Sequence, residues 1–295
     1  MQSDIKIAVV GGDMRQVVMA EALAGRGYEV AVYGFDSSPE PLEHTTRCTK
    51  LDCAICGADL VILPLPYSHD KIHINCPLSK KEIHLSDFFE MTLKMNGSLI
   101  MGGVFDCVAE DYSKQYNIKL CDYYEREELT IHNAIPTAEA AISIAMQEMP
   151  SVLDSSEALV LGFGRIGKLL ALKLRALGAR VCVAARKKED LAWIRALGCT
   201  PVEYSALDER LELSNTIFNT VPALILDEHK LSRVNKSAVI VDLASKPGGV
   251  DRSAAKRLGI NVVWALSLPG KFAPVTSGLM LSDCVLNICR EEGLV

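Results

Sequence analysis

The sequence predicts an α/β protein built as two doubly wound domains with a cleft between them. Three observations carry this. Short apolar, β-branched runs alternate with helix-period stretches across residues 5–122, and again from 157 onward, which is the pattern of a parallel sheet covered on both faces. A nearly all-apolar helical stretch separates the two series. In the second series Gly178, Gly198 and Gly259 each follow a helix, where chains commonly turn left-handed to end one.

In the first series, Ile5–Val10 reads as a strand ending at Gly11-Gly12. A helix over Arg15–Gly25 follows, with Val17, Val18, Ala20, Leu23 and Ala24 on its apolar positions. Glu29–Tyr33, Asp59–Leu63, Ser98–Met101 and Ile118–Leu120 are further strands, the second ending in Pro64-Leu65-Pro66. His132–Pro150 reads as a connector. Pro136 fits the first turn of a helix, and Thr137–Met149 is apolar nearly all round, as a helix buried between the halves would be.

In the second series the strands are Ala158–Leu161, Arg180–Ala184, Pro201–Tyr204, Thr216–Asn219, Ala238–Asp242 and Asn261–Trp264. The helices include Ile166–Leu177, Lys188–Leu197 and Arg252–Leu258. Six such strands make a complete doubly wound domain. The last helix, Val275–Glu291, is expected to return to the first domain, by analogy with other two-domain proteins of this build. The division expected is a first domain over 1–132 with 275–295, a connecting helix over 133–150, and a second domain over 151–274.

The 295 residues suffice for two cores. A net charge of -6 argues against nucleic acid, which would call for a basic face. Met1-Gln2-Ser3-Asp4 leads straight into a strand and does not resemble a signal peptide, and no apolar run reaches membrane-helix length. A cytoplasmic protein is expected. The ten cysteines are scattered, as free thiols in a reducing compartment would be. Cys48, Cys53 and Cys56 match the start of an iron–sulfur spacing, but no glycine-rich cluster loop surrounds them. His69 and His73 are spaced i, i+4 but lack a third ligand, so no metal is expected.

Gly162-Phe163-Gly164-Arg165-Ile166-Gly167 is G-x-G-x-x-G, with a strand before it and a helix after it. This is the dinucleotide fingerprint of Rossmann-like domains. Gly162 permits the tight turn, Gly164 lets backbone approach a pyrophosphate, and Gly167 lets helix and strand pack closely. The helix start around Arg165 and Ile166 offers free N–H groups to phosphates. At the end of the next strand, Ala184-Ala185-Arg186-Lys187-Lys188 carries no acid to hold a ribose 2′-hydroxyl. Arg186 instead suits a 2′-phosphate, so the cofactor expected is NADP(H). Asn219-Thr220-Val221-Pro222 and Asp242, Ala244 and Ser245 end the fourth and fifth strands, and should line the nicotinamide side.

The first domain lacks a second fingerprint. In Gly11-Gly12-Asp13-Met14-Arg15-Gln16, Asp13 and Gln16 stand where glycines would. This strand end suits a substrate better, with Arg15 as a carboxylate anchor and Asp13 as a proton-handling group. A helix start merely capped by Asp13 is the other reading.

These segments together resemble the dipicolinate synthase A-subunit family of spore-forming bacteria. The matching stretches include Gly11-Gly12-Asp13-Met14-Arg15-Gln16, Pro64-Leu65-Pro66, Asn133-Ala134-Ile135-Pro136-Thr137, Asp242–Gly249 and Leu268-Pro269-Gly270-Lys271-Phe272-Ala273-Pro274. The likeness spans nearly the whole chain, with residues 41–58 as variable territory. It implies oxidation of a dihydrodipicolinate-type ring to dipicolinate with NADP in the mother-cell cytoplasm during sporulation. It also implies a flavoprotein-like dipicolinate synthase B-subunit as partner; assembly as a homodimer stays open. A pyridine dicarboxylate needs cations, for which Arg15, Arg126 and Lys271 are candidates. Asn133 and Thr137 could hold polar groups, and His132 joins Asp13 as a candidate for proton transfer. Two alternatives stay open: another two-domain NADP-dependent dehydrogenase of the alanine-dehydrogenase or 2-hydroxy-acid type, and a non-catalytic cofactor-binding protein.

Overall fold

A computed structural model describes residues 5–40, 42–97 and 99–295. The chain forms two compact units, one made of the residues up to His132 together with Ala273–Val295, the other of Asn133–Phe272. Met1–Asp4 and Ser98, the expected start of one strand, lie outside the described residues.

The first unit runs β1 (Lys6–Val10), α1 (Met14–Gly25), β2 (Glu29–Tyr33), β3 (Thr46–Arg47), α2 (Leu51–Ile55), β4 (Leu60–Ile62), α3 (Leu85–Met91), β5 (Leu99–Gly102), α4 (Cys107–Tyr116) and β6 (Lys119–Asp122). All pairings are parallel, in the order β3-β2-β1-β4-β5-β6. Side chains alternate across the sheet. Ile7 and Val9 enter one apolar cluster while Ala8 and Val10 enter another. Both faces are therefore dry, and the strands read as unbroken apolar runs rather than alternating ones.

Next comes α5 (Glu127–Glu148). It starts earlier than expected, and Pro136 lies in its interior rather than its first turn. Glu127 and Glu128 in the first turn favour this earlier start by complementing the helix dipole.

The second unit continues with β7 (Glu157–Leu161), α6 (Arg165–Ala176), β8 (Arg180–Ala184), α7 (Lys188–Ala196), β9 (Thr200–Val202), α8 (Leu207–Leu213), β10 (Thr216–Asn219), α9 (Glu228–Arg233), β11 (Val239–Asp242), α10 (Arg252–Leu258), β12 (Asn261–Trp264) and α11 (Leu268–Phe272). Its sheet order is β12-β11-β10-β7-β8-β9, again all parallel. Ala158 and Val160 face a cluster containing α5 and α6 residues, while Leu159 and Leu161 face one containing Leu207, Leu231 and Ala254. Both units thus share the strand order of a dinucleotide-binding domain, with the strand order reversing beside the first strand.

The final helix, α12 (Pro274–Glu291), packs on α1 within the first unit. Gly278 makes the close approach possible. A Cβ there would lie 2.6 Å from Val18 Cβ and 2.7 Å from the Arg15 carbonyl oxygen. Arg26 adds an ion pair to Asp283 at 2.6 Å. Gly278→Ala is therefore expected to lower stability by about 1–3 kcal/mol, read from hydrogen exchange of α1 amides. Wild-type protection would mean the helices part without cost. Among the described residues, no helix is long and apolar enough to cross a membrane.

Candidate functional site

The glycine turn of the second unit is shaped for an anion. Gly162 adopts φ +97°, and a Cβ on it would meet Thr220 Oγ1 at 2.5 Å and Val221 Cγ2 at 2.9 Å. The turn after β7 thus abuts the loop after β10, at the point where the strand order reverses. A Cβ on Gly167 would lie 2.2 Å from the Gly162 carbonyl oxygen. Gly164, by contrast, faces open space, with nothing within 4 Å of such a Cβ. It is also the N-cap of α6, and it caps without a side chain. The N-cap residue thus brings no side-chain oxygen of its own to the first turn of α6, whose backbone N–H groups are the kind that hold a phosphate.

Arg186 stands at the same sheet edge. Ala184 pairs with Leu161, and Gly162 N donates to the Ala184 carbonyl at 2.9 Å. Arg186 follows two residues later, exposed. Its neighbours are engaged: Lys188 with Glu203 at 2.7 Å and Lys187 with Glu189 at 3.9 Å. Arg186 has no ion pair among the described residues, and Ala185 beside it is buried.

Asn219 and Asp242 do something different from lining a ligand. Both are buried, and Asn219 Nδ2 donates to Asp242 Oδ1 at 2.8 Å. Asp242 also accepts from Ala244 N at 3.2 Å and Gly249 N at 3.0 Å, and Asn219 Oδ1 accepts from Val221 N at 3.2 Å. Thr220 Oγ1 donates to the Leu161 carbonyl at 2.8 Å. These side chains tie the strand ends into fixed loops. The groups left outward are Pro222 and Ser245, both exposed, while Ala244 is buried. Sequence reading placed Gly248-Gly249 in this loop without assigning Gly249 a role of its own; a Cβ on it would strike Asn219 Nδ2 at 2.1 Å.

The matching turn of the first unit is closed by its own side chains. Asp13 is the N-cap of α1 and forms a capping box with Gln16, whose Oε1 accepts from Asp13 N at 3.0 Å. Asp13 Oδ1 and Oδ2 also take Arg15 Nε and Nη2 at 2.9 and 2.8 Å, and Nη2 donates to the Leu65 carbonyl at 2.6 Å. A carboxylate thus fills the place a phosphate would take. It also holds the Arg15 guanidinium, whose Nη1 makes no hydrogen bond among the described residues.

Other expected site residues are placed elsewhere. Arg126 is committed to a two-pronged ion pair with Glu291, at 2.6 Å for both bonds, and to Glu128 at 2.8 Å. Those carboxylates push its guanidinium even further from losing its proton. It fastens the start of α5 to α12, and a substrate carboxylate would have to displace Glu291 to reach it. Thr137 Oγ1 donates to the Asn133 carbonyl at 2.7 Å, a bond within its own helix. Asn133 is half-buried, and His132 is exposed on α5. Lys271 is exposed within α11, with its backbone N–H donating to the Ser267 carbonyl at 3.3 Å.

Cys48, Cys53 and Cys56 do not converge among the described residues. His73 does gain neighbours, but they are Glu82 and His84 rather than His69.

Comparison with known proteins matches the chain to two family models, a sequence relative and two solved structures. A family model described as the N-terminal domain of the dipicolinate synthase A-subunit matches residues 6–124, and one described as the D-isomer specific 2-hydroxyacid dehydrogenase NAD binding domain matches residues 131–254. The dipicolinate synthase A-subunit of Bacillus subtilis (strain 168) is 32% identical over 292 residues, 99% of this chain and 98% of that one. The crystal structure of the dipicolinate synthase A-subunit from Bacillus halodurans superimposes with a TM-score of 0.89 at 30% identity, covering 98% of both chains. That of the Bacillus subtilis protein gives 0.87 at 32%, covering 99% of this chain and 97% of that one.

Proposed function

Because the chain belongs to the dipicolinate synthase A-subunit family and carries a dehydrogenase-type nicotinamide-dinucleotide domain, we propose that it oxidises a dihydrodipicolinate-type ring to dipicolinate. The observation that carries the reading is the contrast between the two glycine turns. The α6 start is capped by a glycine with no side chain, whereas the α1 start is filled by Asp13.

When bound, the dinucleotide supplies the hydride acceptor; the ring gives up a hydride and a proton as it becomes aromatic. The chain's own residues hold the reactants. Amides of the α6 first turn bind the pyrophosphate, and Thr220, Pro222 and Ser245 border the nicotinamide end. Arg15 presents Nη1 to a ring carboxylate, oriented by Asp13 from behind. Asp13 therefore acts through Arg15. His132, exposed and with no side-chain hydrogen bond or ion pair among the described residues, is the proposed acceptor for the ring proton. The name of the relatives as A-subunits implies a companion polypeptide, and a flavoprotein-like B-subunit is the partner proposed.

The cofactor we favour is NADP. Arg186 follows two residues after the end of β8, where the adenosine ribose of a bound dinucleotide would be expected, and no acid there would repel a 2′-phosphate. Arg186→Ala is expected to weaken NADPH binding by about 1.5–3 kcal/mol, ~12–150-fold, and to leave NADH nearly unchanged. Calorimetry with both nucleotides checks this; equal losses would refute the assignment. Following dipicolinate absorbance and NADPH together, with the chain alone and with its partner, tests the reaction itself. Turnover of the ring without nucleotide reduction in either assay would sink the proposal.

A further inference from the structure

The segment after β4 doubles back on itself. Ile74 N donates to the Ile83 carbonyl at 2.9 Å, and Leu85 N donates to the Ile72 carbonyl at 2.8 Å. Between these bonds His73 and His84 face each other as an antiparallel bridge. A pair flanked by hydrogen bonds in this way brings its side chains closest together, and the two rings lie with centroids 4.3 Å apart. Glu82 sits two residues before His84 in extended chain, so it falls on the same face. One ligand atom from each of His73, Glu82 and His84 lies within 4.8 Å of the others.

Asp70 completes the arrangement from behind. Its Oδ2 holds His73 Nδ1 at 2.7 Å, while its Oδ1 accepts from the backbone of Ile72 at 2.9 Å and His73 at 2.8 Å. A carboxylate on Nδ1 favours the tautomer whose lone pair is on Nε2. That Nε2 is sealed from solvent and makes no hydrogen bond among the described residues; its only charged neighbour besides Asp70 among them is the Glu82 carboxylate, an ion-pair contact at 3.5 Å. A buried ring nitrogen without a hydrogen bond calls for an explanation. A metal ion bonded to Nε2 supplies one, and the carboxylate–histidine pair behind it is the usual support of such a ligand.

We propose that His73, Glu82 and His84 form a site for a divalent transition metal, best suited to Zn2+. Two imidazoles and one carboxylate are the donors zinc takes, whereas calcium and magnesium prefer oxygen alone. Tetrahedral bonds of about 2.0–2.1 Å require donors roughly 3.3 Å apart. Glu82 and His84 are exposed and can close that gap by side-chain rotation. The fourth position stays open to water. The ion would fasten the hairpin at its open face. That hairpin also lines the first unit's turn, since a Cβ on Gly11 would lie 2.9 Å from Ile74 Cγ2 and 3.1 Å from the Asn75 carbonyl oxygen. The site does not depend on the oxidoreductase reading.

The test uses the full chain after treatment with a chelator. Calorimetry with Zn2+ should give one saturable site per chain. His73→Ala and His84→Ala should each weaken it by at least tenfold, and Asp70→Asn by about 10–100-fold. His69→Ala should bind as wild type. With Co2+, the absorption should show ligand-field bands without thiolate charge transfer, and zinc should protect the amides of residues 72–85 from hydrogen exchange. Circular dichroism of each variant checks that it is folded. Unchanged affinity in both histidine variants, thiolate bands, or no saturable binding would overturn the site. The last result would leave a proton shared between His73 and Glu82 as the occupant.

Discussion

Asp242→Ala should destabilise the second unit by about 3–5 kcal/mol, more than most single substitutions cost. The carboxylate is 1% exposed at the end of β11 and accepts three hydrogen bonds, from Asn219 Nδ2, Ala244 N and Gly249 N. Removing it strands donors in a dry site. Each buried donor left unmatched costs roughly 1–3 kcal/mol. Asn219 Nδ2 keeps one partner, the Val221 carbonyl at 3.1 Å, so its share falls at the low end. Among the described residues the two backbone donors have no such second partner, because the loop turns tightly around the carboxylate: Gly248 adopts φ +92° and Gly249 lies against Asn219. Both tryptophans, Trp193 and Trp264, lie in this unit. Their fluorescence during urea unfolding therefore reports it separately from the first unit. Asp242→Asn keeps one acceptor but turns an NH2 toward a backbone donor, so an intermediate loss is expected. A loss below about 1 kcal/mol for Asp242→Ala would mean that the donors find other partners and the pair does not hold the loops.

The sequence made some of this legible and hid the rest for physical reasons. Strands buried on both faces announce themselves as apolar runs, so the ends of β2, β8 and β10 match the expected ones, and those of the half-buried edge strand β12 match as well. The two-residue β3, exposed along its length, carries no such signal, and short α8 lacks a side-chain cap. Pro136 misled because a proline is easiest to place in a first turn; the acids that start the helix stand before it. At the site, the glycine turn was readable because its signature is local, three glycines within six residues, even though Gly162 is also hemmed in by the distant Thr220. The fate of Arg126 was not, because its partner Glu291 lies 165 residues away. The same holds for Arg15, pinned by a carbonyl 50 residues on. His69 and His73 looked like a pair by helical spacing, yet the segment is a hairpin, which sets His73 opposite His84 instead. Spacing finds neighbours only once the backbone geometry is known.

The three glycines of the α6 turn should separate folding from binding. Gly167→Ala places a methyl carbon 2.2 Å from the Gly162 carbonyl oxygen and 3.0 Å from its carbon. Those are backbone atoms and cannot rotate aside, so α6 must move off the turn, at a cost of about 3 kcal/mol or more. Gly162→Ala should behave similarly, since φ +97° is strained for any side chain and Thr220 Oγ1 blocks the space. Gly164 has φ -79° and open space beyond it. An alanine there is sterically allowed and should change stability by no more than about 0.5 kcal/mol. Its methyl would stand where a pyrophosphate approaches the amides, however, and should cost about 1–3 kcal/mol of NADPH affinity, ~5–150-fold. Tryptophan-monitored unfolding and nucleotide calorimetry on the three variants give the two axes. A Gly164→Ala protein that unfolds as readily as Gly167→Ala would make the turn a purely structural device. One that folds and binds NADPH as tightly as wild type would move the phosphates away from α6. Only loss of binding with folding intact leaves the nucleotide resting on that helix start.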